Sequence, residues 1–234
     1  YIKKKIIKFL IYKLYNFSDL VLTNSKNSSI ELKKLNINSK IVYSGLISKI
    51  LPKKKIKKKT FYKFIAVGRL EIQKDYFTLL KAIKYVKNNN FKLFIYGEGS
   101  QKSEISNFIS KNNLKKKVVM LGHEQNKNKI YSNADLLIVS SIFEGLPNCI
   151  VEAINYNVPI IASNIGGNKE ILKNSNYGDT FVLQNEKELA LKITRFLKNS
   201  KNLYKKINLN KNSLKKFLIQ NSTKNLEKKI IEIV

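Results

Sequence analysis

The stretch that decides the fold is residues 136–167, which read LLIVSSIFEGLPNCIVEAINYNVPIIASNIGG. Two short and largely apolar runs, 136–139 and 159–162, enclose a longer segment, 148–156, in which most positions are apolar. Short apolar runs that end at a serine, here Ser140 and Ser163, predict buried strands, and the longer segment between them predicts a buried helix. A strand, a helix and a second strand in this order predict two parallel strands of one sheet.

The same alternation continues in both directions along the chain. We predict strands at 19–25, 40–45, 61–67, 91–96, 118–121, 136–139, 159–162 and 180–183. We predict helices at 2–15, 25–36, 76–87, 102–112, 127–132, 148–156, from about 168, and at 186–197, 201–217 and 223–233. Strands that alternate with helices of about ten residues predict an α/β fold with a doubly wound parallel sheet. Ligands of such sheets bind beyond the carboxyl ends of the strands.

The two carboxylates of the deciding stretch need an explanation. Glu152 lies eight residues after Glu144, in the middle of the apolar helix, and a buried unpaired carboxylate costs several kcal/mol. It therefore needs hydrogen-bond donors, and we expect ligand hydroxyls to supply them, so that the unliganded protein is less stable; a half-exposed helix with Glu152 in solvent is the alternative. Glu144 precedes the turn of Gly145, Leu146 and Pro147, a turn in which proline suits the start of a helix. The unpaired backbone amides of that helix start predict an anion site.

Basic residues and a glycine follow the strand at 61–67. Gly68 lets the backbone approach a ligand, and Arg69 and Lys74 together can clamp an anion. Arg69 is one of only two arginines in the chain, the other being Arg195. The alternative is an ordinary surface arginine beside one of many lysines.

Glycines also follow the other strands of the predicted sheet. Gly97, in YGEGS, comes after the strand at 91–96, and Gly122 and His123 come after the strand at 118–121. Gly166 and Gly167 open a further helix, a second source of backbone amides. These glycines can equally form plain strand-to-helix turns, and a single histidine can be structural.

The net charge of +29 favours an anionic partner or a solvated lysine surface. Because nearly all of this charge is lysine, and sequence-specific readers of nucleic acid depend on arginine, nucleic acid is an unlikely partner. The helix at 2–15 carries an apolar stripe among lysines, so peripheral contact with an anionic membrane is one alternative and packing on a core the other.

The small number of possible metal ligands and the shortness of the apolar runs exclude some classes of protein. One cysteine, Cys149, and one histidine, His123, disfavour cysteine- or histidine-based metal sites. No run reaches the roughly 18 apolar residues of a spanning helix, and no cleavage pattern of a signal peptide is seen, so we expect a cytoplasmic protein. Because the chain begins at Tyr1, we also expect a fragment or a processed product.

Five motifs, in this order and spacing, resemble the nucleotide-sugar-binding half of a GT-B glycosyltransferase of the retaining family 4, with its Rossmann-like fold. They are VGRLEIQKDYFTLLKAI, YGEGS, LGH, YSNADLLIVSSIFEGLPNCIVEA and VPIIASNIGGNKEIL. The resemblance implies a hexosyltransferase of the kind that builds capsule, lipopolysaccharide O-antigen and other surface polysaccharides. It divides the chain into the end of an acceptor-side domain (1–50), a linker (51–60), a nucleotide-sugar-binding domain (61–217) and a C-terminal helix that crosses back (218–234). The segment YSGL at 43–46 departs from the Asn-Gly pair of many relatives.

The resemblance also implies roles for single residues. Arg69 and Lys74 would hold the donor diphosphate, assisted by amides after Gly145, and their charge would replace a metal ion; no cofactor is implied. Glu144 would lie against the donor sugar and Glu152 against the ribose. The donor would be a UDP- or GDP-linked sugar, the acceptor a glycan or a lipid-linked glycan, and the anomeric configuration would be retained.

Two other functions remain open at this point. A GT-B-shaped sugar-nucleotide epimerase would bind the same donor, although more acid and base residues than one histidine would be expected of it. A non-catalytic basic domain on a membrane surface, with a vestigial nucleotide fold, would use the charge and the helix at 2–15.

Overall fold

The computed structural model describes residues 7, 9–10, 12–15, 17–52, 59–172, 178–208 and 211–232. The chain forms two compact units, one of Tyr1–Lys49 with Leu214–Val234 and the other of Ile50–Ser213. Every candidate site residue named above belongs to the second unit.

The elements follow the predicted alternation. In chain order they are β1 (Leu22–Thr23), α1 (Lys26–Lys33), β2 (Lys40–Ile41), β3 (Tyr62–Val67), a 3-10 turn (Ile72–Lys74), α2 (Tyr76–Tyr85), β4 (Phe91–Tyr96), α3 (Lys102–Lys111), β5 (Val118–Gly122), α4 (Lys127–Tyr131), β6 (Leu136–Val139), α5 (Asn148–Asn155), β7 (Ile160–Ser163), α6 (Gly166–Leu172), β8 (Asp179–Phe181), α7 (Glu186–Lys198), α8 (Lys201–Asn208), a second 3-10 segment (Lys211–Phe217) and α9 (Ile219–Ile231).

The second unit contains a six-stranded sheet in the order β5-β4-β3-β6-β7-β8, and each neighbouring pair is parallel. The chain builds outward from β3 to β5 and then returns to the other side of β3 with β6. The order therefore reverses between β3 and β6, and a crevice for ligands forms at the carboxyl ends of such strands. The predicted α/β fold with a parallel sheet is confirmed.

Apolar strands with both faces covered explain why the sheet forms. Phe64 of β3 is fully buried and stacks on Phe91 of β4, with ring centroids 4.7 Å apart. Leu79 and Ile83 of α2 are also fully buried, in the same cluster as Ile193 of α7. A strand covered on both faces has an almost continuous apolar sequence rather than an alternating one, as β6 and β7 do.

The start of β6 is fixed by a buried carboxylate. Asp135 is 1% exposed and accepts hydrogen bonds from the Lys63 backbone N–H at 2.9 Å and the Tyr204 hydroxyl at 3.3 Å. Lys59 forms an ion pair with the same carboxylate at 2.6 Å. Burial raises the pKa of Tyr204, so its hydroxyl stays a donor. This network aligns β6 with β3 at the end of the sheet opposite to the crevice.

The first unit joins an early segment to the end of the chain. Its strands β1 and β2 are parallel, and Ile47 pairs with Leu218 just before α9. The Ser222 hydroxyl donates to the Tyr43 carbonyl at 2.6 Å. At Gly45 a Cβ atom would lie 2.7 Å from the Ile219 Cα, so glycine is required where α9 crosses this segment. The assignment of this unit to an acceptor-side domain stays a prediction.

Several predicted elements were wrong in extent. Of the helix predicted at 201–217, Lys201–Asn208 is α-helical and Lys211–Phe217 is a 3-10 segment, and residues 209–210 lie outside the described residues. The last helix begins at Ile219 rather than 223, directly after Leu218 pairs with Ile47. In the first unit each predicted strand is only two residues long, because β1 and β2 pair over two positions.

Two predicted segments lie partly outside the described residues. Of the helix predicted at 2–15, residues 7, 9–10 and 12–15 are helical. Of the predicted linker at 51–60, Leu51 donates its N–H to Asn155 at 2.9 Å and Pro52 accepts from Asn157 at 3.0 Å. Within the described part of the chain, no helix has the length and apolar character needed to cross a bilayer.

Candidate functional site

The loops that follow β3, β4 and β5 enclose a cavity of about 390 Å³ at the carboxyl ends of these strands. Gly68, Arg69, Gly97 and His123 line it, together with Lys127 at the start of α4. The cavity thus brings together four residues that the sequence placed in three separate loops. A second cavity of about 290 Å³ lies in the first unit, around Tyr15, residues 18–21 and residues 36–40, and shares no lining residue with the first.

Glycines bring the first two loops into direct contact. Gly68 and Gly97 adopt φ angles of +154° and +150°. A Cβ atom on Gly97 would lie 1.9 Å from the Gly68 carbonyl oxygen, so no other residue fits the observed backbone. The Gly97 N–H also donates to the Gly122 carbonyl at 2.7 Å, and this hydrogen bond joins the loop after β4 to the loop after β5. Gly97 therefore serves the close approach of backbones around the cavity, whereas glycine suits position 122 because of its φ angle of +73°.

An ion pair joins the loops that follow β3 and β6, the two strands between which the strand order reverses; this place is called the switch point of the sheet. Lys74, after β3, contacts Glu144, after β6, at 2.5 Å, and their side chains are only 18% and 8% exposed. The Ser141 hydroxyl donates to the same carboxylate oxygen at 2.7 Å. The Ser140 hydroxyl donates to the Lys74 carbonyl at 2.8 Å. Lys74 is thus neutralised within the chain, whereas Arg69 is exposed and lines the cavity.

The turn between Glu144 and α5 is backed by another helix. Leu146 and Cys149 are buried, and α5 begins after Pro147 with no side chain capping its start. The uncapped start leaves backbone N–H groups available to an anion. A Cβ atom on Gly167 would lie 2.4 Å from the Glu144 carbonyl oxygen and 2.6 Å from that of Gly145. The helix start at Gly166 therefore packs directly on the 144–145 turn.

Glu152 is buried, as the sequence predicted, and the alternative of a carboxylate in solvent is wrong: the residue is 8% exposed. The expectation that only a ligand completes it is also wrong, because the chain supplies two partners. The Tyr131 hydroxyl donates to one carboxylate oxygen at 2.7 Å. The Lys127 ammonium lies 2.8 Å from the other. The charge of Glu152 is therefore paired even in the unliganded chain. There is then no reason to expect the unliganded protein to be less stable on account of this carboxylate.

Neither partner of Glu152 was predicted from the sequence. Lys127 and Tyr131 are four residues apart on α4, and residues at this spacing share one face of a helix. The predicted helix at 127–132 contained this signal. It could not show that the face meets α5, because that contact depends on the packing of elements 21 residues apart.

Comparison with known proteins gives one family match and many relatives. The model of the family described as Glycosyl transferases group 1 matches residues 48–214. The chain is 34% identical over 183 residues to an uncharacterized glycosyltransferase of Methanocaldococcus jannaschii, covering 71% of this chain and 45% of that protein. It is 29% identical over 201 residues to the N-acetylgalactosamine-N,N'-diacetylbacillosaminyl-diphospho-undecaprenol 4-alpha-N-acetylgalactosaminyltransferase of Campylobacter jejuni, covering 83% and 55%. The chain thus spans about half the length of these relatives.

Solved structures show the same fold. The crystal structure of HepE from Anabaena in complex with UDP and glucose superposes with a TM-score of 0.85 at 17% identity, covering 96% of this chain and 66% of that one. TarM of S. aureus, in a complex that contains UDP, superposes with a TM-score of 0.79 at 22% identity, covering 97% and 46%. At these identities the likeness concerns the fold alone.

Proposed function

We propose a donor-binding role in sugar transfer for this chain, which belongs to the group 1 glycosyl transferase family. The protein would transfer a sugar from a nucleoside-diphosphate sugar to a glycan or lipid-linked acceptor in the synthesis of a cell-surface polysaccharide. Transfer would retain the anomeric configuration, as the resemblance to family 4 implies. The relative from Campylobacter jejuni is named for a diphospho-undecaprenol-linked acceptor, which supports an acceptor of that class.

The observation that carries the proposal is the ion pair between Lys74 and Glu144 at the switch point of the sheet. A diphosphate bound there would meet Lys74, the exposed Arg69 and the uncapped start of α5. These groups would stabilise the negative charge that develops on the leaving nucleoside diphosphate. The same charge stabilisation is what a divalent cation would otherwise supply, so we propose a transfer without a metal ion or other cofactor.

The two carboxylates would bind the rest of the donor. Glu144 lies next to the Lys74 ammonium and would accept hydrogen bonds from the donor sugar. Glu152 would accept hydrogen bonds from the ribose, and the backbone at Gly122 and His123 would border the base. The donor would carry UDP or GDP, and the solved relatives that contain UDP support the first of these.

The test is the thermal stability of the chain with UDP, GDP and ADP. A nucleotide at 100 times its Kd stabilises a protein by about 2.7 kcal/mol, which is readily seen as a rise in Tm. We expect UDP or GDP to raise the Tm, and Arg69→Ala to abolish the rise because it removes a cation from the cavity. Arg195→Ala is the matched control, since this exposed arginine lies on α7. No rise with any of the three nucleotides contradicts the proposal.

Peripheral membrane contact is part of the proposal and would place the protein at the cytoplasmic face, where lipid-linked acceptors are held. It is supported by the net charge of +29 and by the exposed Phe9, Leu10, Leu14 and Phe17 near the start of the chain. We expect sedimentation with vesicles of anionic lipid at low salt and release at high salt, because screening weakens surface attraction. Equal binding to neutral vesicles, or binding that salt does not weaken, contradicts this contact.

A further inference from the structure

A buried polar contact near the cavity involves a residue to which the proposed function gives no role. Tyr131 is fully buried, and its hydroxyl donates to Glu152 at 2.7 Å. Its ring stacks on Tyr156 with centroids 5.5 Å apart and an interplanar angle of 28°. The ring stack therefore holds the Tyr131 side chain in place, and the Tyr131 hydroxyl in turn holds one oxygen of the Glu152 carboxylate.

The other oxygen of this carboxylate has a different kind of partner. Lys127, 2.8 Å away, has a side chain that is 51% exposed and lines the cavity. A lysine on the surface keeps water as an alternative partner, so it can leave the carboxylate at small cost. A buried tyrosine has no such alternative, because a buried hydroxyl without a partner is costly. One oxygen of the Glu152 carboxylate is therefore held by the buried Tyr131 hydroxyl. The other is held by the exposed Lys127 ammonium, which a ligand can replace.

We propose that Tyr131 is a positioning residue: it fixes the Glu152 carboxylate so that the oxygen on the Lys127 side accepts the hydroxyl groups of the ribose. This inference rests on the proposed nucleotide-sugar function. Ribose hydroxyls would take the place of the Lys127 ammonium, while the Tyr131 contact persists. The chain would thus recognise a ribonucleotide through a carboxylate that is oriented before the ligand arrives.

The protonation of the phenol agrees with this role. Burial, with the nearby Cys149 thiol and Glu152 carboxylate, raises the pKa of Tyr131 well above its ordinary value. The hydroxyl therefore keeps its proton and stays a donor to the carboxylate throughout the usual pH range.

The test compares ribose with deoxyribose. Calorimetry would give the Kd of UDP and of 2′-deoxy-UDP, or of GDP and 2′-deoxy-GDP if the guanine nucleotide binds better, for the whole 234-residue chain. A hydrogen bond from a hydroxyl to a charged group predicts about 10- to 100-fold weaker binding of the deoxynucleotide by the parent chain. In Tyr131→Phe the ring can still stack on Tyr156, but the carboxylate is no longer held. We expect the ratio to fall below about threefold, with most of the loss in the affinity for the ribonucleotide.

Two control variants separate positioning from general damage. Tyr156→Phe makes the same chemical change on the neighbouring ring, and we expect it to keep the parent ratio. Lys127→Met removes the contact that the ribose would displace, so we expect a ratio at least as large as that of the parent chain. An unchanged ratio in Tyr131→Phe, or an equal loss in Lys127→Met, overturns the inference while the proposed function stands. Absence of nucleotide binding by the parent chain overturns both.

Discussion

Replacing Lys74 by methionine is expected to lower the free energy of unfolding by about 3–5 kcal/mol, because it leaves a buried carboxylate without its counter-charge. The Glu144 side chain is 8% exposed, and in the described part of the chain its other side-chain donor is the Ser141 hydroxyl. A buried charge that keeps only one neutral hydrogen bond is poorly compensated. The measurement is urea unfolding of the parent chain and of Lys74→Met.

A double variant separates this loss of stability from the loss of ligand binding. In Lys74→Met with Glu144→Gln neither charge remains, and replacing both members of a buried pair by neutral groups of similar size is often close to neutral. We expect the double variant to regain most of the stability. It should still show no rise in Tm with UDP or GDP, since the cation proposed to hold the diphosphate is gone. A double variant as unstable as Lys74→Met means that the pair is not what stabilises these loops.

The pair also bears on how a donor would bind. Lys74 is neutralised by Glu144 in the unliganded chain, so a diphosphate that takes Lys74 must compete with this carboxylate. Arg69 is exposed, and among the described residues no carboxylate forms an ion pair with it. In the proposed function, Arg69 would therefore meet the diphosphate first. Transfer of Lys74 to the phosphate would then free Glu144 to accept hydrogen bonds from the sugar.

The parallel sheet could be predicted from the sequence because its central strands β6 and β7 are buried on both faces. The predicted strands at 91–96 and 136–139 match β4 and β6 to the residue. Fully covered strands need continuous apolar residues, and the breakers at their ends are glycine, serine and asparagine, so both the type and the bounds of the element were visible. The short strands of the first unit carry no such signal, because their pairing extends over only two residues.

The candidate site could be predicted only in part. The rule that ligands bind at the carboxyl ends of parallel strands placed Arg69, Lys74 and Glu144 in neighbouring loops. It could not show that Lys74 and Glu144 form a pair, because that contact joins side chains 70 residues apart. The partners of Glu152 were missed for the same reason: donors that complete a buried carboxylate are set by helix packing, which a local pattern does not specify.

Gly97→Ala is expected to destabilise the second unit by about 4 kcal/mol or more, a size reached by few single substitutions. Two effects add at this position. The φ angle of +150° is one that side chains rarely adopt, and strain of this kind costs about 1–3 kcal/mol. In addition, the new Cβ atom would lie 1.9 Å from the Gly68 carbonyl oxygen, and both atoms belong to backbone that cannot rotate away. The loops after β3 and β4 must then separate.

Gly68→Ala provides the matched comparison, because its φ angle of +154° brings a similar backbone strain. Its Cβ atom would meet only the flexible end of the Lys74 side chain, at 3.0 Å, and that chain can shift. We expect a loss of about 1–3 kcal/mol for Gly68→Ala and a clearly larger one for Gly97→Ala, measured by urea unfolding. Equal losses in the two variants mean that strain alone sets the cost. A larger loss in Gly97→Ala means that these loops need direct backbone contact, and the cavity of the candidate site then depends on a position where only glycine fits.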